Sequence, residues 1–262
     1  MRNTGKATTL ESKFPLLAVE HNCIISKDAD ITACFRVHLP ELFTIASAEY
    51  DAIHSAWHKA IKTLPDYTII HKQDWYIKEN YAPDIAQDGL SFLAKSYQQH
   101  FNERPFLNHY CYLFLTKTTR ERMRMLSDSG SLGKDVLILK ELRDKETIRK
   151  FMEAVTQFER IINDSGFVKL ERLTEDDIIG TADKQGLLEQ YLTLSREAGT
   201  AMQDIALGSE DVRIGNKRLC LHTLSDTDDL PTTVSANTRY EKLSTDRSDC
   251  LLSFAAPVGL LL

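Results

Sequence analysis

The hydrophobic period of the chain changes several times, and each change marks an element. Leu16–Val19 and Cys23–Ser26 are short apolar runs separated by Glu20, His21 and Asn22, which predicts a tight hairpin. From Ile31 to Leu39 every second residue is apolar (Ile31, Ala33, Phe35, Val37, Leu39), while Thr32, Cys34, Arg36 and His38 alternate between them. A period of two predicts a strand with one buried face. Past Pro40 the period lengthens. Tyr50, Ile53, Trp57, Ile61 and Leu64 recur at three- and four-residue steps, with Ala56 and Ala60 filling the stripe, so an amphipathic helix is expected from near Ser47, closed by Pro65. Tyr67, Ile69, Trp75 and Ile77 then hold the odd positions of a further strand. Leu90, Leu93, Tyr97 and Phe101 predict a second helix from about Gly89 to Glu103. Leu107–Leu115 is rich in Tyr, Phe, Leu and Cys at both parities, the pattern of a central strand covered on both sides.

The segment from Lys117 to Lys134 breaks this order. It carries Arg120, Arg122 and Arg124 and then a Ser/Gly-containing stretch, Ser127 to Gly133. The next helix has the clearest stripe of all: Ile148, Phe151, Met152, Val155, Phe158 and Ile162, with Asp144 suited to its N-cap and Gly166 to the residue past its end. A short strand is expected around Phe167–Leu170 and a helix from Gly186 to about Arg196. Val212–Ile214 and Lys217–His222 flank Gly215-Asn216, a two-residue hairpin turn. A polar loop spans Asp226 to Arg247, and Leu251–Leu262 is almost wholly apolar.

The first half thus reads β-β-β-α-β-α-β, which a mostly antiparallel sheet with helices packed on one face would satisfy. The predicted class is α+β, with room for two subdomains. The division is a loose terminus at 1–13, an α+β subdomain at 14–116, a basic Gly/Ser-containing linker or loop at 117–143, and a second α+β part at 144–262. An ending as apolar as Leu251–Leu262 suggests a chain cut inside a larger protein, with that run either folded back on the domain or paired with another copy of the chain.

Composition narrows the function classes. A net charge of -6 and a pI near 5.8 argue against a protein that coats nucleic-acid phosphates. Five scattered cysteines (Cys23, Cys34, Cys111, Cys220, Cys250) with no C-x-x-C pair read as reduced core thiols, not a disulfide frame or zinc site. No window approaches the ~20 apolar residues of a membrane span, and no signal peptide opens the chain, so a cytoplasmic location is expected.

Candidate chemistry is sparse. Gly130-Ser131-Leu132-Gly133-Lys134-Asp135 imitates a phosphate loop, but Asp128 stands where the first glycine belongs and Asp135 where the hydroxyl belongs. Asp51, His54 and His58 share one helix face at chelating spacing, yet that face lies opposite the apolar stripe and reads as solvated. Asp226, Asp228 and Asp229 open like a calcium loop, but Pro231 replaces its glycine. Glu175, Asp176 and Asp177 after Thr174 suit the first turn of a short helix. His109 and Cys111 share a strand face and read as packing. Lys117, Arg120, Arg122 and Arg124 form the one patch with a partner-binding reading, toward an acidic protein, anionic lipid or single-stranded DNA. No catalytic, cofactor or metal residue is assigned.

From Glu11 onward the run ESKFPLLAVEHNCIISKDADITACFRVHLPELFTIASAEYDAIHSAWHKAIKTLPDYTIIHKQDWY, and later LCLHTLSDTDDLP, resembles the N-terminal part of the TraG-type conjugation ATPases of Bacteroides conjugative transposons. The likeness is one of overall sequence, spread over essentially the whole chain, and not of a catalytic motif. It implies a non-catalytic assembly and docking module of a type IV secretion motor, partnered by other transfer-apparatus proteins at the inner face of the inner membrane. ATP and magnesium would belong to a later motor domain. The competing reading is a free-standing enzyme or nucleotide-binding protein with a site built from scattered residues.

Overall fold

The computed structural model describes residues 14–28, 30–40, 45–80, 91–103, 105–118, 145–196, 200–201, 203–208, 211–219 and 250–254. The opening hairpin joins β1 (Leu16–Glu20) to β2 (Cys23–Ser26), and Glu20 pairs with Cys23 across it. His21 and Asn22 both take positive φ (54° and 60°), the backbone of a two-residue turn whose twist matches the strands. β3 (Ile31–His38) pairs with β2 on one side and with β5 (Pro105–Lys117) on the other, and β5 pairs along its whole length with β4 (Thr68–Asn80). β6 (Lys169–Arg172) lies against the end of β3, and β10 (Cys250–Phe254) against β4. Every pairing is antiparallel, in the order β1-β2-β3-β5-β4-β10.

One face of this sheet is covered by α1 (Ser47–Ile61) and α3 (Lys145–Asp164). The predicted stripe of α3 is what it buries. Phe151, Val155, Phe158 and Ile162 are fully enclosed against Ile31, Ala33, Phe35, Val37, Leu113 and Leu115, each contributing about 1.5–3 kcal/mol of apolar burial. Trp57 of α1 meets Phe158 edge to face at 5.8 Å. Gly166, at φ 77°, ends α3, and Asn163 pins that end to β6, its Oδ1 accepting from Leu170 N–H (2.6 Å) and its Nδ2 donating to Leu170 O (3.1 Å). The helix that opens segment 144–262 therefore shares one core with the strands of 14–116.

Helices on one face alone is not what forms. Cys34, expected on the polar parity of β3, is fully buried, as are Tyr112 and Phe114 beside it and Trp75 on β4. A second apolar layer covers them, built from Leu173, α4 (Glu175–Ile179) and α5 (Leu187–Thr193), with Ile178 and Leu187 enclosed. The period of β3 hides this because its second-face residues are small or polar. β5 has the predicted doubly covered centre, with Cys111–Leu115 all buried.

Two further elements differ from expectation. α2 (Phe92–Asn102) forms within the predicted span, but Phe92, Leu93 and Tyr97 on it face water, Phe92 being 85% exposed and Leu93 77%. α5 stops three residues before Arg196, because Leu194 turns left-handed (φ 49°). β7 (Ile205–Leu207), β8 (Val212–Ile214) and β9 (Lys217–Leu219) form a separate antiparallel sheet, with Gly215 at φ 59° in the predicted turn. The fold is α+β with mainly antiparallel sheets. No described helix is long and apolar enough to cross a membrane.

Candidate functional site

The α4–α5 cap roofs a partly open cavity of about 210 Å³ over the second face of the sheet. Its floor follows from strand register. Arg36 on β3 lies opposite Tyr112 on β5, and Tyr112 lies opposite Gln73 on β4, so the three residues sit side by side along one row of the sheet. Of these, Arg36 and Tyr112 line the cavity, and Gln73 is fully buried next to Tyr112. The Tyr191 hydroxyl of α5 donates to Gln73 Oε1, and the Tyr191 ring meets Trp75 edge to face at 5.4 Å.

Local chemistry shapes the cap. Thr174 caps α4, and Asp177 returns a carboxylate bond to the Thr174 N–H at 3.0 Å, a reciprocal capping box. This fulfils the sequence expectation for the acidic triplet. Burial alone would raise the Asp177 pKa. Lys184 Nζ at 2.5 Å and the Thr174 bonds outweigh it and hold the carboxyl down at about 2. The 181–185 turn closes on itself through Gly180 paired with Gln185. Gly180 takes φ 102°, and a Cβ on Gly186 would stand 2.2 Å from the Gly180 nitrogen, so neither position accepts a side chain without moving backbone. With its amide oxygen toward Thr193 Oγ1 (2.9 Å), buried Gln185 donates to Ser195 O (2.7 Å) and Arg196 O (3.2 Å), fastening the chain beyond α5.

That fastening brings Arg196 back over the sheet. Its guanidinium carbon lies 3.4 Å from the Tyr110 ring centre, a cation–π stack. The Tyr110 hydroxyl donates to Glu79 Oε1 at 2.8 Å, and burial, then that bond, push its pKa up to about 12. Arg196 Nε and Nη1 are buried with no hydrogen-bond partner among the described residues, and so is Gln190 Oε1. Three cations (Arg36, Lys184, Arg196) and two carboxylates (Asp177, Asp183) line the cavity. Lys184 is matched to Asp177, and Arg36 stands 3.6 Å from Glu171, while among the described residues no ion pair engages Arg196. Chemically the arrangement can hold a small polar, negatively charged group.

None of these cavity residues except Asp177 is singled out by sequence. Gln73 stands at the buried parity of β4 with Trp75 and Ile77, a signal that a polar side chain enters the core. Arg36 reads as a solvent-facing alternate, and Arg196 as a helix end.

The sequence candidates lie elsewhere. Asp51, His54 and His58 are exposed on α1, and no group of three or more His, Cys, Asp or Glu among the described residues is arranged to hold a metal. His109 is exposed, not buried; its Nε2 meets Asp74 Oδ1 at 2.8 Å and its ring stacks on Tyr76 at 4.5 Å. Cys111 is enclosed, and burial raises its thiol pKa to about 12, which leaves no thiolate for nucleophilic work. Lys117 closes β5, with Nζ donating to Asp66 O at 2.5 Å and standing 5.7 Å from the Tyr67 ring centre. Arg120, Arg122 and Arg124, the Gly130–Asp135 segment, and Asp226, Asp228 and Asp229 lie outside the described residues.

Residues 3–55 match the model of a family described as "Domain of unknown function, B. Theta Gene description" (DUF3875). The matched stretch holds β1, β2, β3 and the start of α1, and from the cavity only Arg36. No curated protein matches the chain.

Proposed function

We propose that this chain is a non-catalytic assembly and docking module of a conjugative-transfer ATPase, working beside a motor domain that carries the ATP and magnesium chemistry. The observation that carries the reading is α2. An isolated helix of 11 residues is marginal in water, and helices gain most of their stability by packing an apolar face. Here Phe92 and Leu93 stand on the outside, joined to the far end of the long β4–β5 ladder. A helix that presents large apolar side chains on a rigid hairpin suits capture by a protein partner with an apolar groove. The resemblance to TraG-type ATPases supplies the context, and the family description naming B. Theta agrees with a Bacteroides setting. The partners proposed are the other transfer-apparatus proteins, at the inner face of the inner membrane, with Lys117, Arg120, Arg122 and Arg124 as a secondary contact patch.

The test is genetic. In-frame removal of the reading frame from its element should abolish transfer of that element between cells, and complementation should restore it. Unchanged transfer frequency counts against the proposal. The second reading, an enzyme or nucleotide-binding protein, draws support from the cavity under the α4–α5 cap. At about 210 Å³ that cavity is below the usual ~300–1,000 Å³ of small-molecule sites, which favours the docking module.

A further inference from the structure

We propose that the cavity under the α4–α5 cap is a binding site for a small oxyanion, a phosphate or carboxylate group held by Arg196. The site is built rather than incidental. Gln190 is 6% exposed, lines the cavity, and has an Oε1 with no partner among the described residues. Arg196 offers buried Nε and Nη1 donors that meet no acceptor among the described residues. Leaving buried polar groups unmatched is costly, most of all for charged groups, so a site that retains them gains when a ligand supplies the missing atoms.

The chemistry of the lining selects the ligand. Arg196 is placed by three independent devices: the Tyr110 ring beneath it, the Gln185 amide on its carbonyl, and the left-handed Leu194 that ends α5. A planar, pre-positioned guanidinium suits an oxygen acid. Of the two carboxylates in the lining, Asp177 is already paired with Lys184 and Asp183 is exposed to solvent. Gln190 Oε1 accepts a hydrogen, which a hydrogenphosphate hydroxyl donates, as does an amide or hydroxyl next to a carboxylate. The volume equals roughly seven waters at ~30 Å³ each, room for a phosphate ion or a short acid and too little for a nucleotide. By contrast, the open groove along α3 holds no buried polar atom without a partner among the described residues, and its Arg149 Nη1 already stands 2.6 Å from Glu153 Oε1.

The experiment is calorimetric titration of the full chain in dilute chloride buffer, with inorganic phosphate and, separately, sodium acetate. Saturable binding of either anion is expected, phosphate alone marking a phosphate-type ligand and acetate alone a carboxylate. Arg196→Gln should weaken it about tenfold or more, from loss of a charge-assisted hydrogen bond. Gln190→Glu, which sets a carboxylate inside the cavity, should abolish it, and Arg149→Gln on the surface should leave it unchanged. Absence of saturable binding by the wild-type chain overturns the proposal, since the cavity then holds water alone. Equal weakening by Arg149→Gln overturns it as well, because diffuse surface charge would be the cause. Should Arg196→Gln fail to fold, Gln190→Glu carries the test: undiminished binding by a folded Gln190→Glu chain contradicts the assignment.

Discussion

Arg196 and Tyr110 stack with 3.4 Å between the guanidinium carbon and the ring centre, although 86 positions separate them in the chain. The stack ties the segment after α5 to the middle strand of the sheet, and Glu79 holds the phenol from the other side at 2.8 Å. Tyr110→Phe keeps the ring face and removes only the hydroxyl bond, so it should cost about 1 kcal/mol. Tyr110→Leu removes the π face too and should cost about 1–2 kcal/mol more. Urea denaturation of the two variants measures the difference; equal losses would show that the cation–π stack contributes nothing.

Asp177 should give the cap an acid limit. Its pKa falls from the ordinary 3.8 to about 2 in the folded chain, so the unfolded chain binds the proton more tightly. The stabilisation, on the order of 2 kcal/mol, is therefore fully present above pH 4 and is lost as pH falls through 2. Asp177→Asn should flatten the stability profile between pH 4 and pH 2 relative to wild type. An unchanged slope in that window argues that the Lys184 and Thr174 bonds do not hold the carboxyl down.

Gly186 and Gly166 should respond very differently to alanine. A Cβ at 186 lands 2.2 Å from backbone of Ile179 and Gly180, whereas one at 166 meets nothing within 4 Å and suffers only its φ of 77°. Gly166→Ala should cost about 1–2 kcal/mol. Gly186→Ala should cost more and act locally, speeding amide exchange across 175–196 while leaving the α3 core protected. Hydrogen exchange resolved by segment distinguishes the two, and similar profiles would contradict the close backbone approach at 186.

The elements that were legible in the sequence are those whose local chemistry and packing agree. The β1–β2 turn, the α3 stripe and the acidic first turn of α4 each follow from side chains within one element. The second face of the sheet was hidden because Cys34, Arg36 and Gln73 carry no apolar period, and what buries or shelters them arrives from α4 and α5, more than a hundred residues onward. Leu93 and Tyr97 of the predicted α2 stripe face water, because periodicity cannot say whether the surface a stripe faces lies within the same chain. The cavity was illegible for a related reason. Arg36, Gln185, Gln190 and Arg196 form no motif, and their meeting depends on strand register and on the left-handed Leu194.

The docking role of α2 is tested most directly by transfer frequency in donor cells whose parent protein carries Phe92→Lys and Leu93→Lys together. Both positions are solvent-exposed, so the substitutions should leave folding and abundance intact. The docking role predicts a fall in transfer of at least about tenfold, the equivalent of roughly 1.4 kcal/mol of lost association, at unchanged protein level. Wild-type transfer by the abundant double variant would contradict it.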